Sequence, residues 1–262
     1  MNLSLLHPKV NAIVREAGAY IQKQQGQVKA QEISDKSLNN LVSYVDKTAE
    51  QLLVKKLSIL LPEAGFLTEE KTVTQTEKPL RWIIDPLDGT TNFLFGLPIY
   101  SVSVALAQDE DILLGAVYIP VLDELFSATK NGGAFLNNQP ISVSKTTTLA
   151  DSLAATGFPY YKFEQVERYM AMFEKYMRGT RGIRRLGSAA VDLVYVACGR
   201  FDFYFEFDLN PWDIAAGLLI VAEAGGQTSD FAGTGSAFSG KEILASNGLL
   251  HGFLLEGWIY SF

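Results

Sequence analysis

Five carboxylates stand at positions where an apolar element begins or ends. The stretch WIIDPLDGTTNF, residues 82–93, runs apolar residues into Asp85, Pro86 and Asp88 and then turns at Gly89 into Thr90 and Thr91. Two carboxylates crowded at a strand end repel each other and are costly to take out of water, so a positive species is expected between them. Asp46 before a helix, Glu69 after the apolar GFLT and Asp213 in NPWD occupy comparable borders. Packing of those elements is expected to gather the five acids at one edge. Oxygen ligands suit hard divalent cations, and two or more magnesium ions held close together would activate a water and stabilise both sides of a phosphoryl displacement.

In that chemistry Asp85 is placed to bridge two ions, and Glu69 to complete the first while orienting the attacking water. Asp88 and Asp213 complete the second. The turn after Asp88 offers backbone amides near a helix start, which bind phosphate oxygens. Gly89 and Thr90 are therefore candidate phosphate contacts, and the Thr90 hydroxyl is a candidate partner for the water. No histidine or cysteine nucleophile is needed. Neither His7 nor His251 lies near another candidate ligand in sequence, and Cys198 is the single cysteine.

The elements that must position these residues follow from periodicity. Residues 4–24 repeat apolar side chains at helical spacing, and a second helix is expected from about residue 46 to 61, stopped by Pro62 and Gly65. KPLRWIIDP reads as a short buried strand ending at Asp85. Residues 99–107, 112–119 and 122–128 read as three strands in series, and KNGGAFLNNQPI supplies two tight turns. Beyond residue 145 the rhythm changes. A short strand in DSLAATGFP, helices over 162–177 and in LGSAAVDLVYVACG, a strand over 201–207, a helix from Pro211 to Gly225 and a strand over 243–246 follow in turn. One domain over 1–262 is expected, with lobes 1–145 and 146–262.

Composition bounds the function. With 262 residues, 48% of them apolar, the chain can supply a substantial core. A formal charge of -7 gives no electrostatic footprint for nucleic acid, and the one basic cluster, RGTRGIRR, reads as a solvated face, a subunit contact or a small-anion contact. A lone cysteine means no intramolecular disulfide, and no run approaches the roughly 20 apolar residues of a membrane span. A soluble, cytoplasmic protein without membrane or nucleic-acid partners is expected.

GFLTEE, WIIDPLDGTTNF and NPWDIAAGLLIVAEAGG resemble the three signature segments of the inositol monophosphatase family, within the wider lithium-sensitive, magnesium-dependent phosphatase group. The similarity in order and spacing covers nearly the whole chain. It implies an α+β fold, a five-layer αβαβα sandwich of the inositol monophosphatase and fructose-1,6-bisphosphatase type. It also implies a homodimer and hydrolysis of phosphate monoesters by metal-activated water, without a covalent intermediate. Carried over by residue, the first magnesium site matches Glu69, Asp85 and the Leu87 carbonyl, and the second matches Asp85, Asp88 and Asp213. A third ion resembles one held through Glu69 and waters. Thr90 with Asp46 matches the pair that steadies the water, and Gly89 and Thr90 match the phosphate-binding amides. Glu206 and Ala189 fall where family members meet the inositol hydroxyls, beside substrate contacts from Asp88 and Asp213.

The implied substrate is a small phosphorylated polyol or sugar-like molecule, inositol 1-phosphate first. Two departures bear on it. FEFDLNPWD places Phe207 and Asp208 after Glu206, where relatives carry a Glu-Arg-Gly-like stretch, and Arg184 or Arg185 suits a substrate with a second anionic group. The alternatives are a 3'(2'),5'-bisphosphate nucleotidase or NADP phosphatase, a histidinol phosphatase and a fructose-1,6-bisphosphatase. From another class, a metal-binding regulatory protein would keep the fold without turnover. Trp82, Trp212 and Cys198 read as core residues, and GTGSAF at 233–238 lacks the third glycine of a dinucleotide fingerprint.

Overall fold

A computed structural model describes residues 1–37, 40–76, 78–158, 166–234, 238 and 241–259. The start of the helix expected from residue 162 and part of GTGSAF lie outside them. The elements run α1 (Leu3–Gln24), β1 (Ile33–Ser37), β2 (Asn40–Ser43), α2 (Tyr44–Leu60), β3 (Gly65–Thr68), β4 (Leu80–Asp88), α3 (Thr90–Leu94), β5 (Ser101–Gln108), β6 (Asp111–Ile119), β7 (Glu124–Thr129), β8 (Ala134–Leu136) and β9 (Gln139–Pro140). The second half contributes β10 (Leu153–Thr156), α4 (Val166–Gly179), β11 (Gly182–Arg184), α5 (Ala189–Ala197), β12 (Phe203–Phe207), α6 (Pro211–Glu223), β13 (Gln227–Ser229), β14 (Glu242–Ser246) and α7 (His251–Ile259).

Two large sheets and three helical layers alternate, and β1 and β2 form a separate antiparallel pair. β3 to β9 form a seven-stranded sheet in chain order, antiparallel except where β3 runs parallel to β4. The second sheet has the order β11-β10-β12-β14-β13. Three apolar cores fill the gaps between layers. Val10, Val14 and Ala17 of α1 and Leu53 and Leu57 of α2 meet Trp82, Ile84 and Val104 on one face of the large sheet. Its other face, with Ile83, Ala105 and Val117, packs on α5 and α6, which also cover Tyr204 and Ile243 of the second sheet. Tyr169, Met172 and Tyr176 of α4 close the far side against Phe203, Phe205 and Leu254. This is the αβαβα sandwich, with α5 and α6 as the buried central layer. A helix in that layer must be apolar around its circumference, as AAVDLVYVA and IAAGLLIVA are.

The strand ending at Asp85 in the sequence reading continues to Asp88, with an irregularity that sequence spacing does not reveal. Asp85 pairs with Ser103 and Asp88 with Ser101, so three steps on β4 oppose two on β5. Side chains three apart on a regular strand point to opposite faces, whereas one extra residue returns them to the same face. Pro86, which has no amide hydrogen, sits inside that bulge. The bulge therefore turns both carboxylates to one side.

β1, β2, β3, β8, β9, β11, β13 and α7 are additions to the elements read from sequence; β13 and α7 are short and lack clear periodicity. α7 begins with His251, which is 1% exposed and held between two serines. Ser229 gives its proton to the Asp230 carbonyl (2.6 Å) and so accepts from Nε2 (3.0 Å), while Ser246 accepts the Gly248 amide (3.1 Å) and donates to Nδ1 (2.9 Å). The network fits the neutral Nε2–H imidazole, and burial pushes the His251 pKa down from 6.5 to about 4. A depressed histidine pKa gives stability that is complete above the unfolded value and lost as pH falls through the window from 6.5 towards 4. Wild type is expected to lose about 1–2 kcal/mol from this site between pH 7.5 and pH 5. His251→Asn should flatten that part of the slope, as urea midpoints at the two pH values will show.

Candidate active site

The sheet geometry brings Glu69 to Asp85. β3 ends at Thr68, paired beside Ile84, and the Glu69 amide bonds the Ile84 carbonyl at 3.2 Å. Asp213 arrives from the central layer. Asn210 caps α6, Pro211 opens it, and Asp213 closes a capping box by accepting the Asn210 amide at 2.7 Å. Gly115 lets α6 approach the sheet closely, since a Cβ there would lie 2.8 Å from the Ala216 carbonyl oxygen. Ser103, the partner of Asp85 across the strands, donates to the Trp212 carbonyl at 3.4 Å.

Asp88 faces the start of α5. Its Oδ2 accepts from the Ser188 hydroxyl at 2.7 Å and the Ala190 amide at 2.8 Å. A helix N-terminus is a favourable place for a carboxylate. Gly89 follows at φ 93°, with a would-be Cβ 3.0 Å from the Ile99 carbonyl, so the turn needs glycine on both conformational and steric grounds. Thr90 then starts α3, and its hydroxyl lies 2.9 Å from Asp46 Oδ1 and 3.0 Å from the Leu87 carbonyl. Asp46 is buried at the third position of α2, where Oδ2 accepts the Ser43 amide and hydroxyl, both at 2.8 Å.

Glu69, Asp85, Leu87, Asp88, Gly89, Thr90 and Asp213 line one cavity of about 190 Å³, open to solvent, with Arg185 on its wall. Asp46 stands behind Thr90. Ala189 and Glu206 are not brought to this cavity: Ala189 is buried beside the Ala190 amide that bonds Asp88, and Glu206 lies on β12. Tyr204 donates to Glu206 at 2.6 Å, and a Cβ on Gly157 would fall 1.9 Å from its carboxyl group.

Electrostatics mark the cavity as short of positive charge. Burial, then repulsion from Glu69, Asp88 and Asp213, pushes the Asp85 carboxyl well above the usual range. Burial, then Glu69 and Asp88, does the same to Asp213. Burial raises Asp88 to about 6 although Ser188 and Ala190 favour its charge, and burial raises Glu206 to about 7 against the Tyr204 bond and Arg185. Among the described residues, no group of three or more His, Cys, Asp or Glu side chains is already drawn together tightly enough to hold a metal ion. Asp85, Asp88 and Asp213 are turned into local bonds with Leu87, Ser188, Ala190 and Asn210. The donor set still fits hard cations: the four carboxylates, the Leu87 carbonyl and the Thr90 hydroxyl are all oxygen ligands, and a divalent ion would relieve the repulsion that raises Asp85.

The sequence reading did not single out Ser188, Asp192 or Glu50. Asp192 is a buried acid within the apolar α5 with no partner for Oδ1 among the described residues, and burial, then Glu206, raises its pKa well above the usual range. Its isolation in AAVDLVYVA was the available signal, as was the spacing of Glu50 four residues after Asp46.

Known proteins agree with this architecture. Residues 4–259 match the inositol monophosphatase family. An inositol-1-monophosphatase from Mesorhizobium japonicum is 39% identical over 97% of this chain and 95% of its own. A fructose-1,6-bisphosphatase/inositol-1-monophosphatase from Aquifex aeolicus is 38% identical over 95% of this chain and 93% of its own. The crystal structure of extragenic suppressor protein suhB from Bartonella henselae superposes with a TM-score of 0.90 at 38% identity, covering 96% of this chain and 97% of that one. The fold and the open acidic cavity are those of a phosphatase acting on phosphate monoesters. The chain belongs to the inositol monophosphatase family.

Proposed function

We propose that the chain is a magnesium-dependent inositol-1-phosphate phosphatase in which water attacks phosphorus directly. The observation that carries this reading is the convergence of Glu69, Asp85, Asp88 and Asp213 on one cavity, beside a Thr90 hydroxyl bonded to Asp46. Two to three magnesium ions, held by Glu69, Asp85, the Leu87 carbonyl, Asp88 and Asp213, would supply Lewis-acid stabilisation and make a bound water more acidic. The protein's own groups do the positioning. Thr90 directs its proton to Asp46 or to the Leu87 carbonyl, which leaves its oxygen an acceptor towards the cavity, suited to orienting the attacking water with Glu69. The Gly89 and Thr90 amides hold the phosphate. Asp88 and Asp213 contact the substrate from the cavity wall, whereas Ala189 and Glu206, whose carboxyl Tyr204 holds in the space above Gly157, stand outside that lining and would meet only hydroxyls of a substrate that extends beyond it.

The same reading carries a cytoplasmic homodimer, lobes meeting near residue 145, and inhibition by lithium. No described helix is long and apolar enough to cross a membrane. One observation favours a second reading, a sugar bisphosphatase. The Arg184 guanidinium bonds the carbonyl of Ile183 on its own strand at 3.1 Å, whereas Arg185 lines the cavity, where it would meet a second anionic group.

The test is phosphate release from inositol 1-phosphate, fructose 1,6-bisphosphate, adenosine 3',5'-bisphosphate, NADP and histidinol phosphate, each with and without magnesium and with a millimolar lithium titration. The expected result is magnesium-dependent preference for inositol 1-phosphate, suppressed by lithium. Preference for the sugar bisphosphate would establish the second reading. No release from any of them, with magnesium still bound, would make this a non-catalytic metal-binding member of the family.

A further inference from the structure

Glu50 lies one turn beyond Asp46 on α2 and is 0% exposed. A buried carboxylate is costly, and among the described residues Glu50 has no cation paired with it. Three short hydrogen bonds take that role. Oε2 accepts the Glu70 amide at 2.7 Å, and Oε1 accepts both the Thr72 amide and the Thr72 hydroxyl at 2.7 Å. All three donors belong to the turn that leaves Glu69. Lys71, between them, adopts a left-handed φ of 53°, so the backbone curls around the carboxylate. This is charge-assisted bonding of the stronger kind.

The other side of Glu69 is fixed independently. Its amide is tied to Ile84, the Thr68 amide to Gln75 Oε1 at 2.7 Å, and the Phe66 amide to Thr76 Oγ1 at 3.0 Å. The return segment thereby covers the open edge of β3, and Glu69 is the residue at which the two sets of bonds meet. An apolar side chain at position 50 would have completed the buried stripe of Val45, Ala49, Leu53 and Leu57. An acceptor stands there instead. With Asp46 bonded to Thr90, one face of α2 reaches both groups assigned to the attacking water.

We infer that Glu50 is a positioning residue, holding the 69–72 turn so that Glu69 is presented to the cavity and the ions bind tightly. The inference rests on the metal-assisted phosphatase reading. In Glu50→Gln one acceptor becomes a donor facing a backbone N–H, so at least one bond is lost. Magnesium alone is titrated into the full chain by calorimetry, with phosphate release and melting temperature measured alongside. Glu50→Gln should weaken magnesium binding by about tenfold or more and raise half-saturating magnesium equally, with KM at saturating magnesium nearly unchanged. Thr72→Val, which removes only the hydroxyl bond, should move both in the same direction by roughly threefold. A folded Glu50→Gln with wild-type magnesium affinity overturns the inference; if that variant does not fold, wild-type affinity in Thr72→Val does so. Wild type that binds magnesium without releasing phosphate overturns the function proposed above while calorimetry still scores the clamp. Wild type that binds no magnesium overturns both.

Discussion

Asp88→Asn is expected to lower phosphate release by about 10²–10⁴-fold, the loss of several kcal/mol of charge stabilisation, while leaving the fold intact. Asparagine is nearly isosteric, and its carbonyl oxygen can accept the Ser188 and Ala190 bonds that Asp88 Oδ2 accepts at 2.7 and 2.8 Å. What disappears is one negative charge among carboxylates that repel one another; Asp88 is a cause of the raised pKa at both Asp85 and Asp213. The variant should therefore melt in EDTA at or above the wild-type temperature. Activity and stability then change in opposite directions, which a core defect cannot produce. Asp213→Asn should behave alike, because its capping bond from Asn210 can also be kept. Activity within tenfold of wild type at low magnesium would remove Asp88 from the site.

Magnesium itself is expected to raise the melting temperature of the EDTA-treated protein by roughly 5–10 °C. Ions that bind only the folded chain stabilise it by about 2.7 kcal/mol at 100 times Kd, and each kcal/mol moves a domain of this size by roughly 2–4 °C. The effect has a local origin in a cavity where charge is raised in energy by burial and repulsion together. Asp85, 2% exposed and repelled by Glu69, Asp88 and Asp213, is the group that feels it most widely. Asp85→Asn should abolish most of the shift. A thermal scan with and without millimolar magnesium measures it directly, and an unchanged wild-type midpoint would contradict ion binding at this site.

The fold was legible in the sequence where a single period ran long enough. α1, α2, the meander β5 to β7 and the uniformly apolar α6 announce themselves by spacing, and Asn210, Pro211 and Gly225 mark where α6 starts and stops. The acids of the cavity were legible because carboxylates at the borders of apolar elements conflict with burial unless something compensates them. What was not legible depends on contacts distant in sequence. The bulge that turns Asp85 and Asp88 to one face is a matter of register against β5, and the Ser188 bond to Asp88 joins residues 100 positions apart. Glu50 sits in a helix that also carries Lys47, Lys55 and Lys56 on its solvent side, and only its spacing four residues after Asp46 separates it from them; its partners Glu70 and Thr72 lie about 20 positions on. Short β13 and α7 carry too few residues for a period to emerge.

The most direct test of metal-assisted phosphate monoester hydrolysis at this cavity is the rate of phosphate release from inositol 1-phosphate as magnesium is titrated from an EDTA-treated start. The account predicts no release in EDTA and saturable recovery with added magnesium in wild type, with recovery absent in Asp88→Asn at the same concentrations. Equal turnover in EDTA and in magnesium, or full recovery in Asp88→Asn, would contradict it.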